Sequence, residues 1–514
     1  MFNILSEINS DTLAISLVVV LLFVLLTIAV TLVAVFLIGK YHQLTKDDTV
    51  QVGKLKTTYL VAIILVVGLA IRVLMALVVN GYGENFQTVY DIGKNALKDG
   101  NGFEGFANNY LGIAPIMGYL YAFFAGLGSS AGLAVDDLAM QLFVKAPYIL
   151  ADIALFVTLY MIAKKYSNRY VALIIASLYY LSPLSFVMSS AWGSEYTVLS
   201  LALVLTFYFM VNKNVFGMSV GMAVSCLVHS DAIVIAPVIA VYLIYVFVKS
   251  IIKIVKVKPS FDMIFKDASL YNVVYVPLCI ALGVVLMYLL SLPAYLPDGV
   301  VGFGEVMEKI LVSPFLYVSG ESALYYFSQN ALSLYTVLTL NFTTLGAKFA
   351  SALFVGLFAL VVAIVAAVIF IMKKNRANLL LLASYLSVTV GIYLIGASEW
   401  TLVPALALML IAFAIIKDKR ILKVYAIMSV FVALNALLAM LGGNQISSEL
   451  VLGVFNMGSE TAFNVFSILL SVLTVLVHIY YTVVVLDISL TKNRKLFVTE
   501  PTSSVGEIMK NWVR

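Results

Sequence analysis

Thirteen apolar runs, most of them near the length that a bilayer demands of one helix, occupy the greater part of this chain. Crossing hydrocarbon takes roughly 20 consecutive apolar residues, because each backbone N–H and C=O must be paired within the segment where no water can reach it. Runs that meet or approach that length lie at about 14–38, 57–79, 138–163, 170–190, 195–211, 215–229, 232–248, 271–293, 349–371, 378–397, 401–416, 421–441 and 462–486. Another apolar piece, at about 111–127, is shorter and interrupted by glycines. Charged residues make up 11% of the chain against 63% hydrophobic ones, too few to cover a water-soluble body, where about a quarter are charged. The fold class these runs predict is all-α. It is a polytopic membrane bundle of about 13 transmembrane helices, with residues 1–514 forming a single integral membrane domain.

The segments between runs sort by charge. Lys40, Lys46, Lys54 and Lys56 follow the first run; Lys164, Lys165 and Arg169 follow the third; Lys249, Lys253, Lys256 and Lys258 follow the seventh. Lys373, Lys374 and Arg376, then Lys417, Lys419 and Arg420, then Lys492, Arg494 and Lys495 complete the series. Cytoplasmic loops retain Lys and Arg, so this pattern predicts an outer N-terminus, an inner C-terminus and an odd number of crossings. Thirteen crossings then require 111–127 to re-enter or to lie along the surface. Residues ahead of the first run include Glu7 and Asp11 and no cation, which reads as a retained span and not a cleaved signal. Cys226 and Cys279 both sit in apolar stretches and read as small packing residues.

Candidate chemistry collects on the outer face. Two outer segments are long, 80–137 and 294–348, and the first carries Glu84, Asp91, Asp99, Glu104, Asp136 and Asp137 against Lys94 and Lys98. Shorter outer corners fall at Trp192–Glu195, His229–Asp231 and Ser398–Trp400. Ionisable groups within lipid are costly and therefore functional candidates: Arg72 lies about two turns below the outer end of its helix, and Lys145 and Asp152, seven residues apart, share one helix face. A cation held in a low dielectric grips a phosphate far more strongly than one in water, so Arg72 or Lys145 could meet a lipid phosphate; the plainer reading is that Lys145 and Asp152 find partners on neighbouring helices. Glu84 sits just above the membrane, where a carboxylate can act as general base toward an incoming hydroxyl. As a lone acid it reads equally as a helix cap. Three histidines, His42, His229 and His478, cannot build a His-rich metal site. No phosphate-binding glycine loop, dinucleotide fingerprint or nucleophile elbow occurs, and nothing points to nucleic acid. Asn341-Phe-Thr343 is a glycosylation sequon.

Taken in order, several segments resemble the GT-C glycosyltransferases, and most closely the bacterial membrane mannosyltransferases related to the second mannosyltransferase of GPI-anchor assembly. An acidic outer loop follows an Arg-containing span, and Pro115 stands where that family has a Tyr-Pro-Pro stretch. VKAPYILADIALFVTLYMIAKKY is similar to the family's Lys-x-Pro…Asp helix, and LYYLSPLSFVMSSAWGSEYT to its Asn-Pro…Trp-Gly-Gln-x-Asp corner. FSQNALSLYTVL resembles an Asn-Ala-Phe-Asn-x-Trp stretch, and SEWTLVPALALMLIAFA a His-Glu-Arg-Tyr-x-x-Pro stretch. The resemblance implies a GT-C-like bundle in a bacterial plasma membrane with its active face outside. The donor would be a polyprenyl-phosphate sugar and the acceptor an extracytoplasmic glycan or lipid. It assigns catalysis to Glu84 and Asp91, the donor phosphate to Arg72, Lys145 and His229, and substrate binding to Trp192, Glu195, Asp231, Asn330 and Glu399. The need for a divalent cation is left open: Glu84, Asp91 and Glu195 are candidates to hold one, but no spacing demands it.

The polar tips depart from the family pattern. The loop aspartate falls at Asn85, and Trp-Gly-Gln-x-Asp has become Trp192-Gly193-Ser194-Glu195-Tyr196. A Lys-x-Gln patch reads His229-Ser230-Asp231, and His-Glu-Arg-Tyr reads Ser398-Glu399-Trp400-Thr401. A non-catalytic relative that binds lipid-linked sugar is therefore a second expectation. A transporter or flippase is a third, but related halves and charges at mid-membrane are not seen.

Overall fold

The computed structural model describes residues 57–78, 83–98, 114–296 without 136, 299–311, 328–329, 331–340, 376–442 without 395, and 465–490, with scattered positions between 25–37 and 357–368. Most of the apolar runs 14–38 and 349–371 lies outside the described residues, as do Glu104 and the sequon.

The first complete helix, α1 (Thr57–Val78), displays the logic of a lipid-facing span. Tyr59, Ile63, Val66 and Leu74 stay exposed, whereas Gly68, Arg72 and Ala76, spaced by four, form a stripe turned into the bundle. Next come α2 (Gly83–Lys98) and α3 (Pro115–Ser130). They pack closely where a Cβ on Gly93 would lie 2.5 Å from the Ala125 backbone, and Tyr90 donates to the Leu133 carbonyl beyond α3 at 3.4 Å. The two therefore run antiparallel, with the start of α2 near the end of α3.

The long α4 (Leu138–Tyr166) precedes α5 (Arg169–Tyr180), which bends by 50° into α6 (Pro183–Phe186) and a π-helical turn, Val187–Trp192. Then follow α7 (Tyr196–Val211), α8 (Val215–Val228), α9 (Ala232–Val257), α10 (Phe261–Lys266), α11 (Ala268–Tyr295) and α12 (Phe303–Leu311). The remainder comprises β1 (Ser328–Gln329), α13 (Leu334–Val337), α14 (Arg376–Tyr393), β2 (Ala397–Ser398), α15 (Val403–Ile416), α16 (Lys419–Gly442) and α17 (Val465–Leu490). β1 and β2 pair in parallel, Ser328 with Ala397 and Gln329 with Ser398.

The protein is an all-α membrane bundle, as expected, but the apolar runs are not equivalent. Among the described residues six helices are long and apolar enough to cross a membrane, or seven if the bent α5–α6 pair is one span. The runs at 195–211, 215–229 and 401–416 fold as helices of 16, 14 and 14 residues. At 1.5 Å per residue a 14-residue helix is only about 21 Å long, short of the roughly 30 Å of hydrocarbon. Their short length is tolerated because they are wrapped by protein: all 14 residues of α15 are buried. The segment expected to re-enter or to lie along the surface, 111–127, is helical from Pro115 onward and lies against α2 and α4.

Alternation of these helices divides the molecule into two ends. Lys164, Lys165, Arg169, Lys213, Lys249, Arg376, Lys417 and Arg420 all flank the ends of helices on one side. The three short corners 192–195, 229–231 and 398–401 fall on the other.

Candidate functional site

The corner end of the bundle is anchored from within by an ion pair. Arg72 and Asp152 are both completely buried; Arg72 Nε donates to Asp152 Oδ2 at 2.8 Å and Nη2 bonds the same oxygen. The guanidinium also donates to the carbonyls of Gly68 (3.0 Å) and Tyr180 (2.8 Å) and to Ser185 Oγ (2.6 Å), and lies 3.8 Å from the centroid of the Tyr180 ring. Ser185 closes the triangle by donating to Asp152 Oδ2 at 2.6 Å. Asp152 thus pairs with Arg72 and not with Lys145 two turns away on the same helix. Arg72, expected at the donor phosphate, is enclosed here with its nitrogens already engaged; its role in this geometry is to tie α1 and α4 to the α6 segment.

That segment carries the first corner. Ser182 caps it by accepting from the Leu184 amide at 3.3 Å, and the π-helical turn then ends at Gly193, with φ 81° and ψ 67°. The amides of Gly193 and Ser194 both donate to the Met188 carbonyl, at 3.1 and 2.9 Å. Glycine is required twice over at this position. Its left-handed backbone disfavours side chains, and a Cβ would stand 3.0 Å from the Tyr148 ring and 3.6 Å from Lys145 Cγ. The buried Lys145 therefore lies directly beneath the Trp192–Glu195 corner, its Nζ 3.3 Å from the Ala76 carbonyl and 3.4 Å from Gln141 Oε1.

Three corners separated by up to two hundred residues meet above it. Trp192 packs edge-on against Trp400, with ring centroids 5.1 Å apart. His229 stands between two acids, its Nε2 3.4 Å from Glu195 Oε1 and its Nδ1 3.6 Å from Asp231 Oδ2. The Asp231 amide donates to His229 Nδ1 at 3.2 Å. Tyr196 lies under the imidazole at 4.5 Å and donates its hydroxyl to Asp231 Oδ2 at 2.7 Å. It also sits 3.3 Å from Thr401 Oγ1, which accepts from the Ser398 amide at 2.9 Å. The result is a half-buried basin with an aromatic wall and an acidic rim. Glu195 keeps 31% of its side chain exposed, Asp231 19% and His229 18%.

Burial decides the electrostatics of the rim. It pushes the Glu195 carboxyl above its ordinary pKa, with nearby His229 opposing and Asp231 reinforcing the rise. Burial raises Glu399 to about 7, against the pull of its own amide and the Trp400 side chain. A carboxylate poised near neutrality suits proton transfer.

The expected site residues thus divide. Trp192, Glu195, His229 and Asp231 come together, with Glu399 beside Trp400 and Lys145 below the corner. His229, expected at the donor phosphate, is flanked by two carboxylates, a setting that disfavours a second anion. Glu84 belongs to the first turn of α2 and its side chain lies outside the described residues, as does Asn330. Asp91 is half-buried on α2 and accepts from Gln87 Nε2 at 3.0 Å with each oxygen, a local pairing two turns from Glu84. Tyr148, Tyr196 and Thr401 escaped the sequence reading. Tyr196 could have been found from its place at the corner beside Glu195, whereas only folding could bring Thr401 to it. Among the described residues no group of three His, Cys, Asp or Glu side chains is arranged to hold a metal ion.

No protein-family model matches the chain, and no curated protein sequence matches it. Among solved structures, that of ArnT from Cupriavidus metallidurans bound to undecaprenyl phosphate aligns with 83% of this chain and 78% of its own, at 14% identity and a TM-score of 0.41.

Proposed function

We propose that this protein is a GT-C-type membrane glycosyltransferase. It moves a sugar, mannose or a related hexose, from a polyprenyl-phosphate donor to a hydroxyl of an extracytoplasmic glycan or lipid. The observation that carries the reading is the convergence of the 192–195, 229–231 and 398–401 corners, each standing where a family motif falls though with altered polar residues, into one basin above Lys145. Aromatic walls and carboxylates are what a sugar needs: apolar faces to lie against and acceptors for its hydroxyls. The segregation of cations to the opposite end supports a basin on the outer face of a cell membrane.

In the proposed reaction the donor lipid lies between helices and its phosphate meets the ammonium of Lys145, a cation in a low-dielectric setting. A carboxylate takes the acceptor O–H proton. The acceptor oxygen forms a bond to the anomeric carbon as the bond from that carbon to the phosphate oxygen breaks, its electron pair leaving with the polyprenyl phosphate. Attack opposite the leaving group inverts the anomeric centre. Glu84, at the start of α2, is the proposed base, and Glu399 the alternative already present in the basin. Removing a general base costs about 10²–10⁴-fold in rate. Purified protein given polyprenyl-phosphate mannose and a glycan acceptor should release polyprenyl phosphate. Glu84→Gln should abolish that release; undiminished turnover would remove Glu84 as base and leave Glu399→Gln as the deciding variant.

One observation favours a second reading, a sugar-binding relative without turnover: Glu195 faces His229 and Asp231 accepts from Tyr196, so two rim acids are already occupied. Tight donor binding with no polyprenyl phosphate released would select it.

A further inference from the structure

At the opposite end of the molecule, several cations gather where four helices end. Arg376, at the start of α14, is 93% enclosed (7% exposed) and its Nη1 donates to the Val211 carbonyl, the last residue of α7. Lys213 stands two residues beyond that carbonyl. It closes α7 in a left-handed conformation, φ 60°, with its amide donating to Met210 O at 3.1 Å and the Asn214 amide reaching back to Phe209 O at 2.9 Å. A lysine is a poor choice for a left-handed closing residue, where glycine is unstrained. Lys249, on α9, and Arg376 are close enough to Lys213 to help hold its pKa down, together with the larger effect of burial, at about 7. Lys165 flanks the group from α4, bonded to Tyr208 Oη with its ammonium 4.7 Å from that ring. Simple sidedness bias would scatter such cations over exposed loops; here they converge from the α7–α8 turn, α9 and α14 onto one buried arginine.

A second feature adjoins the group. Leu205 and Phe209 of α7, with Phe216, Gly217, Val220 and Val224 of α8, line an apolar groove of about 340 Å³ whose cation-rich end is Asn214, the residue after Lys213. Both helices are apolar along their length, so the groove between them suits an acyl chain.

We infer that the α7–α8 groove and the adjoining Lys213, Lys249 and Arg376 form a binding site for one phospholipid with an anionic headgroup, an acyl chain in the groove and the phosphate at the cations. Charge complementarity selects the headgroup. A zwitterionic lipid would bring its own ammonium to a centre already crowded with cations, whereas an anionic one relieves their mutual repulsion. The site is distinct from the basin at the other end and stands or falls without it.

The test is native mass spectrometry of the full chain released from nanodiscs made with phosphatidylglycerol or with phosphatidylcholine. The wild type should retain one phosphatidylglycerol and little phosphatidylcholine. Lys213→Gln and Lys249→Gln should each weaken phosphatidylglycerol retention about fivefold, the contribution of one basic side chain at an anionic surface. Val220→Trp, which fills the groove, should reduce retention with the charges intact. Thermal denaturation of each variant in detergent separates lost binding from lost folding. Equal retention of both lipids by the wild type, or phosphatidylglycerol retention unchanged in the folded double lysine variant, overturns the assignment.

Discussion

Replacing Asp152 by asparagine isolates the energetic role of the buried ion pair. In the native structure Asp152 Oδ2 receives two guanidinium nitrogens and the Ser185 hydroxyl with no exposure to solvent. Removing one partner of such a pair strands the other charge and costs about 3–5 kcal/mol. The lower end applies to Asp152→Asn, because Arg72 keeps the Gly68 and Tyr180 carbonyls, Ser185 Oγ and two aromatic faces, and the amide oxygen still accepts. Asp152→Ala should lie at the upper end. The double replacement Arg72→Met/Asp152→Leu removes both charges and should fall within about 1 kcal/mol of wild type, since an apolar pair can replace a buried ionic one. Equilibrium unfolding by SDS in mixed micelles, followed by circular dichroism, reads each of these values and yields a coupling energy. A cost below about 1 kcal/mol for Asp152→Asn, or a double variant as unstable as the singles, would refute the reasoning.

Gly193→Ala should destabilise by about 1–3 kcal/mol through its left-handed backbone and the contact with Tyr148; an unchanged unfolding midpoint would contradict the packing described. Glu399 carries a folded pKa of about 7 against an ordinary 4.5, so the stabilisation it gives as the neutral acid is complete below about 4.5 and is lost as pH rises through 7. Glu399→Gln should therefore be more stable than wild type above pH 7, by about 1–2 kcal/mol once its partial exposure discounts the full shift, and should match it in acid. Unfolding midpoints of the pair should begin to diverge near pH 4.5, separate progressively up to about pH 7 and stay apart above it. Tyr196→Phe removes the hydrogen bond to Asp231 and should lower stability by about 1 kcal/mol in equilibrium unfolding; an unchanged midpoint would contradict the bond. Lys145→Gln should raise the KM for a polyprenyl-phosphate donor far more than it lowers kcat, whereas equal loss in both would place Lys145 in the chemistry itself.

The all-α membrane architecture was legible in sequence because lipid imposes one dominant constraint, and unbroken apolar runs register it residue by residue. Alternating cations gave the two ends for the same reason: charge is costly to move across hydrocarbon, so its position survives folding. The three corners were visible as polar interruptions of those runs, and Trp192, Glu195, His229 and Asp231 could be named from them. Pairing was not legible. Nothing in a linear pattern distinguishes Arg72 opposite Asp152 from Arg72 facing a phosphate, since both readings need the same buried cation; only the packing of α1 against α4 and the Ser185 segment chose between them. Helix length was not legible at 195–211, 215–229 and 401–416, where the apolar runs fold as helices of only 16, 14 and 14 residues. Hydropathy records that a residue avoids water without recording whether lipid or protein replaces it, and α15, buried on every face, is replaced by protein. Contacts between residues far apart in the chain, such as Trp192 with Trp400 or Tyr196 with Thr401, exist only once tertiary packing has closed the distance, and the basin is made of them.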